Sequence, residues 1–298
     1  MASNPVAAAA AAGTLTLAAG LTINRMGYGA MRLTGPGIWG EPSDPAAAGA
    51  VLRRALELGV NFIDTANSYG PEVNECLIAE VLHPYPTGLV IATKGGLTRP
   101  GPGRWEPDGR PEQLRAACEG SLRRLRLDCI DLYQLHTPDR GRVPLEDSLG
   151  ALVRLQGEGK IRHIGVSNVD LLELRRAQAL ATVVSVQNRY NLEDRSSEDV
   201  LEYCQQQGLA FIPWFPLEAG RHATAHGQNG AGAVLGEIAK AHGATTAQVA
   251  LAWLLAHSPV MLPIPGTSSI AHLEENVAAA PIALNIDELA RMDDGWAR

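Results

Sequence analysis

Phe62-Ile63-Asp64-Thr65-Ala66-Asn67-Ser68-Tyr69-Gly70 is the stretch on which the reading of this chain turns. Residues 60–64 form a short β-rich run that ends on an aspartate, and a polar turn carrying Tyr69 follows. The residues before it are patterned as a helix. Asp44 suits an N-cap, Pro45 suits the first helical position, and Val51, Leu52, Ala55 and Leu56 recur at helical spacing. Gly59 then supplies a left-handed stop.

The same unit repeats outward in both directions. Strands are predicted at 25–29, 60–64, 89–94, 130–136, 161–167, 183–188, 209–215 and 260–264. Helices are predicted from 44 and 111, at 145–158, 171–180, 198–207, 233–242, 245–257 and 270–279, with an extra one at 286–294. Several strands are continuous apolar runs, which suits a parallel sheet covered on both faces. Eight such units predict an α/β fold of the (β/α)8 TIM-barrel type. An open doubly wound sheet is the rival, but Gly27-Tyr28-Gly29-Ala30-Met31 lacks the third glycine of a phosphate loop. Residues 14–17 and 21–24 flank Ala18-Ala19-Gly20 as a hairpin, expected to plug the bottom of the barrel.

In such a barrel the C-terminal strand ends form the reactive rim. Asp64 and Tyr69, Lys94 and His136 all fall there, after the second, third and fourth strands. Each alone has a structural explanation: a buried ion pair, a packing tyrosine, a hydrogen-bonded core histidine. Together they make a tunable proton donor. A free tyrosine titrates near ~10, and a nearby ammonium favours the phenolate, so Lys94 is expected to lower that value. Asp64 would hold Lys94 charged, and His136 would orient an incoming oxygen.

The bulk numbers narrow the options. A chain of 298 residues with 46% hydrophobic residues can bury a large core, and its net charge of −7 without a basic stripe argues against nucleic acid. Cys76, Cys118, Cys129 and Cys204 are scattered, as free thiols in a reducing cytoplasm would be. No run of 18 or more apolar residues predicts a membrane span. Residues 1–13 are alanine-rich without a positive n-region, so they are read as a flexible tail or a stray helical turn rather than a signal peptide. His222 and His226 stand at i, i+4 spacing, but a third ligand is lacking, so no metal site is expected. A monomer or weak homo-oligomer is expected.

Three motifs resemble the aldo-keto reductase family across almost the whole chain: Asp64 to Gly70, Ser121-Leu122-Arg123-Arg124-Leu125 through Asp131-Leu132-Tyr133-Gln134-Leu135-His136, and Gly159-Lys160-Ile161-Arg162-His163-Ile164-Gly165-Val166-Ser167-Asn168. The resemblance implies one barrel domain over 1–298 that reduces an aldehyde or ketone with NADPH. It implies a catalytic tetrad of Asp64, Tyr69, Lys94 and His136, with Tyr69 as general acid. Ser167, Asn168 and Gln187 would bind the cofactor carboxamide, and Trp214, with Pro216 and Leu217, would stack on the nicotinamide where tyrosine is commoner. Gly29, Ala30 and Met31 would line the same cleft. Where the family often has a lysine and an arginine for the 2′-phosphate, this chain has Gly266 and His272. Thr267, Ser268, Ser269 and a helix N-terminus remain, with Glu275 and Asn276 at the adenine. NADP(H) is therefore expected, and NAD(H) is admitted.

Trp39, Trp105 and Met31 are expected as an apolar substrate wall, Trp105 within a Pro/Gly-rich loop at 99–111. The loop at 218–232 would fold over the pyrophosphate. The motifs from Ile264 to Leu273 and from Trp214 to Leu217 resemble the bacterial branch that includes pyridoxal reductases, which implies pyridoxal or another aromatic aldehyde. Two further classes stay open: a Schiff-base aldolase using Lys94, and a non-catalytic cofactor-binding regulatory subunit.

Overall fold

The computed structural model describes residues 8–217 and 231–296. Its first strands, β1 (Thr14–Ala18) and β2 (Leu21–Asn24), pair antiparallel across a turn at Gly20, whose φ of 79° explains the glycine. After them come β3 (Tyr28–Gly29), β4 (Phe62–Asp64) and β5 (Val90–Gly95), then a second hairpin of β6 (Leu97–Gly101) and β7 (Arg104–Pro107). β8 (Ile130–Leu135), β9 (Ile161–Ser167), β10 (Val183–Arg189) and β11 (Ala210–Trp214) complete the set. Seven of these form one curled sheet in the order β11-β10-β9-β8-β5-β4-β3, with every neighbouring pair parallel.

The eighth strand expected at 260–264 is not a regular strand. It makes a single bridge, Phe211 to Met261, and backbone bonds from Leu262 N to Phe211 O (2.8 Å) and from Gly27 N to Pro263 O (2.9 Å). Pro263 and Pro265 have no N–H to continue a ladder. The segment nonetheless hydrogen-bonds to both edges of the sheet, so it closes the barrel between β11 and the residues before β3.

Helices cover the outside: α1 (Pro45–Glu57), α2 (Val73–Leu82), α3 (Pro111–Leu125), α4 (Leu145–Gly157), α5 (Leu171–Gln178), α6 (Glu198–Gln207), α7 (Ala231–Ala241), α8 (Thr246–His257), α9 (Ile270–Val277) and α10 (Ile286–Trp296). The Asp44 carboxylate accepts from Ala47 N at 2.9 Å, and Pro45 occupies the first turn, as their sequence order predicts. Asp170 and Glu173 close a reciprocal capping box on α5.

Two apolar cores result. Ile23, Phe62, Val90, Ala92, Leu132, Val184, Ile212 and Leu262 fill the barrel, and Leu17 and Leu21 of the first hairpin join them, so that hairpin plugs one end as expected. Ile63, Ile91, Tyr133, Leu135 and Val166 point outward and pack beneath the helices. Within residues 1–13, of which 8–13 are described, Ala9–Ala12 form a 3-10 turn, Ala9 N donates to Leu58 O at 3.0 Å, and the Ala9 side chain is buried. No helix among the described residues is long and apolar enough to cross a membrane.

Candidate active site

Side chains alternate along a strand, so the stripe that fills the barrel also reaches its rim. Phe62 leads to Asp64, Val90 and Ala92 lead to Lys94, and Leu132 leads to Gln134 and then His136. The register aligns Asp64 with Ala92 and Lys94 with Gln134. On β10 a bulge between Val183 and Ser185 resets the alternation. It lets Val184 join the inner core while Gln187, three positions on, turns onto Asp64.

Lys94 is fully buried, and its ammonium donates three times: to Asp64 Oδ2 (2.6 Å), to Thr65 O (2.9 Å) and to Tyr69 Oη (3.3 Å). Only the charged amine has three protons to give. Burial works against that charge, but Asp64 and Tyr69 together outweigh it and hold the Lys94 pKa above its ordinary value. Tyr69 departs from expectation. Burial is the larger influence on its phenol and pushes the pKa up, while Lys94 pulls it the other way. Because Tyr69 Oη accepts from Lys94, its own proton is free to be donated into the cleft. Burial, and then the charge of Lys94, hold His136 well below the ordinary histidine pKa, so its imidazole is neutral. Its Nδ1 lies 3.4 Å from Ser68 Oγ.

Tyr69 rides on a turn secured from several sides. Gly70 has φ 104°, and a β-carbon there would stand 2.5 Å from Val73 Cβ. Asn74, fully buried, accepts from Thr65 Oγ1 (2.6 Å) and donates to Ala30 O (2.8 Å), which ties this turn to the end of β3. The 99–111 segment, expected as a loop, is mostly the β6–β7 hairpin, turning at Gly103. It sets Trp105 edge-on to Tyr69, ring centroids 6.4 Å apart. Arg99 stacks on Trp105 at 3.7 Å and donates to the carbonyls of Gly37, Ile38, Ser68 and Arg104. Trp39 lies beyond Arg99, 5.4 Å from its guanidinium, and does not line the cleft.

These walls enclose a cleft of about 760 Å³. One end holds Asp64, Tyr69, Trp105 and His136. The other is formed by Thr267 and Ser268 just before α9 and by His272, Glu275 and Asn276 along it. Gly29, Met31, Ser167, Asn168, Gln187, Trp214, Pro216, Leu217 and Gly266 line the stretch between, and sequence reading missed Arg32, Ile38, Phe215, Ala247, Ile264 and Pro265. Lys94 sits behind the wall. Ala30 is buried off the cleft, and Ser269 caps α9 instead, accepting from His272 N. Asn168 is spent internally: it accepts from Trp214 Nε1 (3.0 Å) and donates to His136 O (2.9 Å) and Ser167 Oγ (3.0 Å). That leaves the Ser167 hydroxyl proton and Gln187 Oε1 to meet a ligand.

Backbone crowding explains the glycine at 266. A β-carbon on Gly266 would lie 2.6 Å from Gly29 O, and one on Gly29 would lie 2.7 Å from Ile264 O. Both positions need glycine where these two segments meet. Arg32 Cγ lies 3.7 Å from that Gly266 β-position, and the Arg32 side chain has no ion pair or hydrogen bond among the described residues. Arg32 also lines the cleft. No cluster of three or more metal-ligating side chains occurs among the described residues. His222, His226 and most of the 218–232 loop lie outside them.

The profile of the Aldo/keto reductase family matches residues 25–297. An uncharacterized oxidoreductase of Schizosaccharomyces pombe is 51% identical over 274 residues, covering 92% of this chain and 87% of that protein. Pyridoxine 4-dehydrogenase of Escherichia coli is 42% identical over 279 residues, covering 91% and 94%. The crystal structure of an aldo-keto reductase from Klebsiella pneumoniae in complex with NADPH superposes with a TM-score of 0.76 at 30% identity, over 92% of this chain and 91% of that one.

The enclosed pair makes a prediction that needs no substrate. Lys94→Met leaves the Asp64 carboxylate buried without its cation, and is expected to cost about 3–5 kcal/mol of stability. Adding Asp64→Asn should restore a large part of that loss. Chemical denaturation of the two variants checks both; a double variant no more stable than Lys94→Met would contradict the account.

Proposed function

The chain belongs to the aldo/keto reductase family of oxidoreductases, and on that premise we propose that it interconverts an aldehyde or ketone and its alcohol using NADP(H), with Tyr69 as the proton donor. One observation carries the reading. Lys94 fixes the phenol oxygen of Tyr69 from behind, while Tyr69 and a neutral His136 both face the cleft. A nicotinamide bound in the cleft supplies the hydride that no side chain carries. Everything else is the work of the chain's own groups.

His136, with Ser68 beside Nδ1, keeps its other ring nitrogen for the carbonyl oxygen. Tyr69 gives its proton to that oxygen as negative charge develops there, and in alcohol oxidation the phenolate takes the proton back. Trp105 shields Tyr69 and forms an aromatic wall. That wall, and the likeness to pyridoxine 4-dehydrogenase, favour pyridoxal or another aromatic aldehyde as substrate. The aldolase alternative is disfavoured, because a Schiff base needs an uncharged amine and Lys94 spends all three of its ammonium protons.

For the cofactor, Ser167 and Gln187 offer polar contacts, Trp214 offers a flat ring, and the start of α9 offers amide donors beside Thr267, Ser268 and His272. Arg32 supplies the cation that Gly266 cannot, which favours the 2′-phosphate form.

Tyr69→Phe should lower kcat for aldehyde reduction about 100-fold or more and leave NADPH binding intact. Near-native turnover would remove Tyr69 from the role. Reduction should also lack a histidine limb in its pH profile. His136 is already neutral, and the phenol ionises only above its ordinary range, so kcat/KM should be flat through neutrality and fall only in alkali. An inflection near ~6.5 that disappears in a His136 variant would contradict this. Arg32→Ala should weaken NADPH binding about tenfold and leave NADH within about twofold, read by fluorescence titration. Equal losses for both would show that Arg32 does not read the 2′-phosphate.

A further inference from the structure

Beneath the Asp64–Lys94 pair lies an amide that the proposed reaction does not use. Gln134 is fully buried and does not line the cleft. Its Nε2 donates to Asp64 Oδ1 at 3.3 Å, and Gln187 Nε2 donates to the same oxygen at 2.9 Å. Asp64 therefore has its oxygens divided: Oδ2 takes the Lys94 ammonium, and Oδ1 takes two amides. The neighbouring strand makes room for this. A β-carbon on Gly165 would stand 2.8 Å from Gln134 Cγ and 2.4 Å from Ser185 Oγ. Gln134 Oε1 and Ser185 Oγ are both buried without a partner, and both flank that glycine. An apolar side chain at 134 would fill the barrel with no such unmet group, so the fold carries this amide at a cost.

We propose that Gln134 is a positioning residue, whose amide, together with that of Gln187, holds Asp64 as a carboxylate and so keeps Lys94 charged beside Tyr69. The inference rests on the proton-donor reading above. A buried acid–base pair has a neutral alternative, in which the proton passes from the ammonium to the carboxylate. Hydrogen bonds to the carboxylate oppose that transfer. With Lys94 neutral, Tyr69 would lose the cation that counters burial. The charged or titratable groups facing Tyr69 among the described residues are Lys94 and Asp64 behind it, His136 on β8's end, and Arg99 behind Trp105. Of these only the Lys94–Asp64 pair touches Gln134's partner.

The test uses Gln134→Met, which keeps the chain's shape and removes the donor, with Gln134→Leu in its place should Met not fold. Unfolding of the ligand-free protein is measured in two backgrounds, native and Asp64→Asn/Lys94→Met. The loss of unfolding midpoint in the native background should be at least about twice that in the neutral one. For carbonyl reduction, kcat should fall about tenfold with KM nearly unchanged, and the alkaline limb should move upward by on the order of half a pH unit. Equal midpoint losses in both backgrounds would overturn the proposal, since packing alone would explain them. So would an unchanged kcat and alkaline limb. If the native protein turns over no carbonyl compound, the functional reading falls instead, and the unfolding comparison alone decides the role of Gln134.

Discussion

The Lys94 ammonium is the constraint from which the rest of the site follows. Its three protons go to acceptors on β4, on the strand end beyond it, and on the turn that carries Tyr69. With no exposure to solvent, it cannot exchange a poor partner for water. Each acceptor must therefore be held in place by its own surroundings. Asp64 is held by two amides, Thr65 by Asn74, and the Tyr69 turn by Gly70, Asn74 and the carbonyl at Ser68 that Arg99 clasps. A buried charge of this kind contributes little net stability, but it is costly to leave half-made. It thereby selects one arrangement of the segment from Asp64 to Tyr69 from many.

Much of this was legible in the residues themselves. Asp64, Lys94 and His136 end strands on the same two-residue stripe as Phe62, Ala92 and Leu132, so alternation alone predicts that they meet. Gln134 lies on that stripe as well, two residues before His136, and the pattern could have marked it as an inward polar group. Arg99 could not be found this way. Its partners are backbone carbonyls at 37, 38, 68 and 104, and carbonyls carry no sequence signal. The β6–β7 hairpin was hidden by Pro100, Gly101, Pro102 and Gly103, which look like breakers although Gly103 is only the turn. The eighth strand was overread because its apolar run is right while Pro263 and Pro265 deny it a ladder.

The far end of the cleft shows a different limit. The loss of a cation at Gly266 reads, in sequence, as a weakened phosphate site. In three dimensions the backbone of Gly29 stands where a side chain at 266 would begin. The glycine is thus a consequence of how the segment after Leu262 closes the barrel against β3, and the cation that lines this part of the cleft, Arg32, comes from the β3 side.

Gln187 joins the two ends. A carboxamide has one donor face and one acceptor face, and here the donor is spent on Asp64 while the residue lines the cleft. A ligand that donates to Oε1 draws electron density through the amide and makes its N–H a stronger donor to Asp64. Asn168, the neighbouring amide, differs: both of its faces are committed to Trp214, His136 and Ser167.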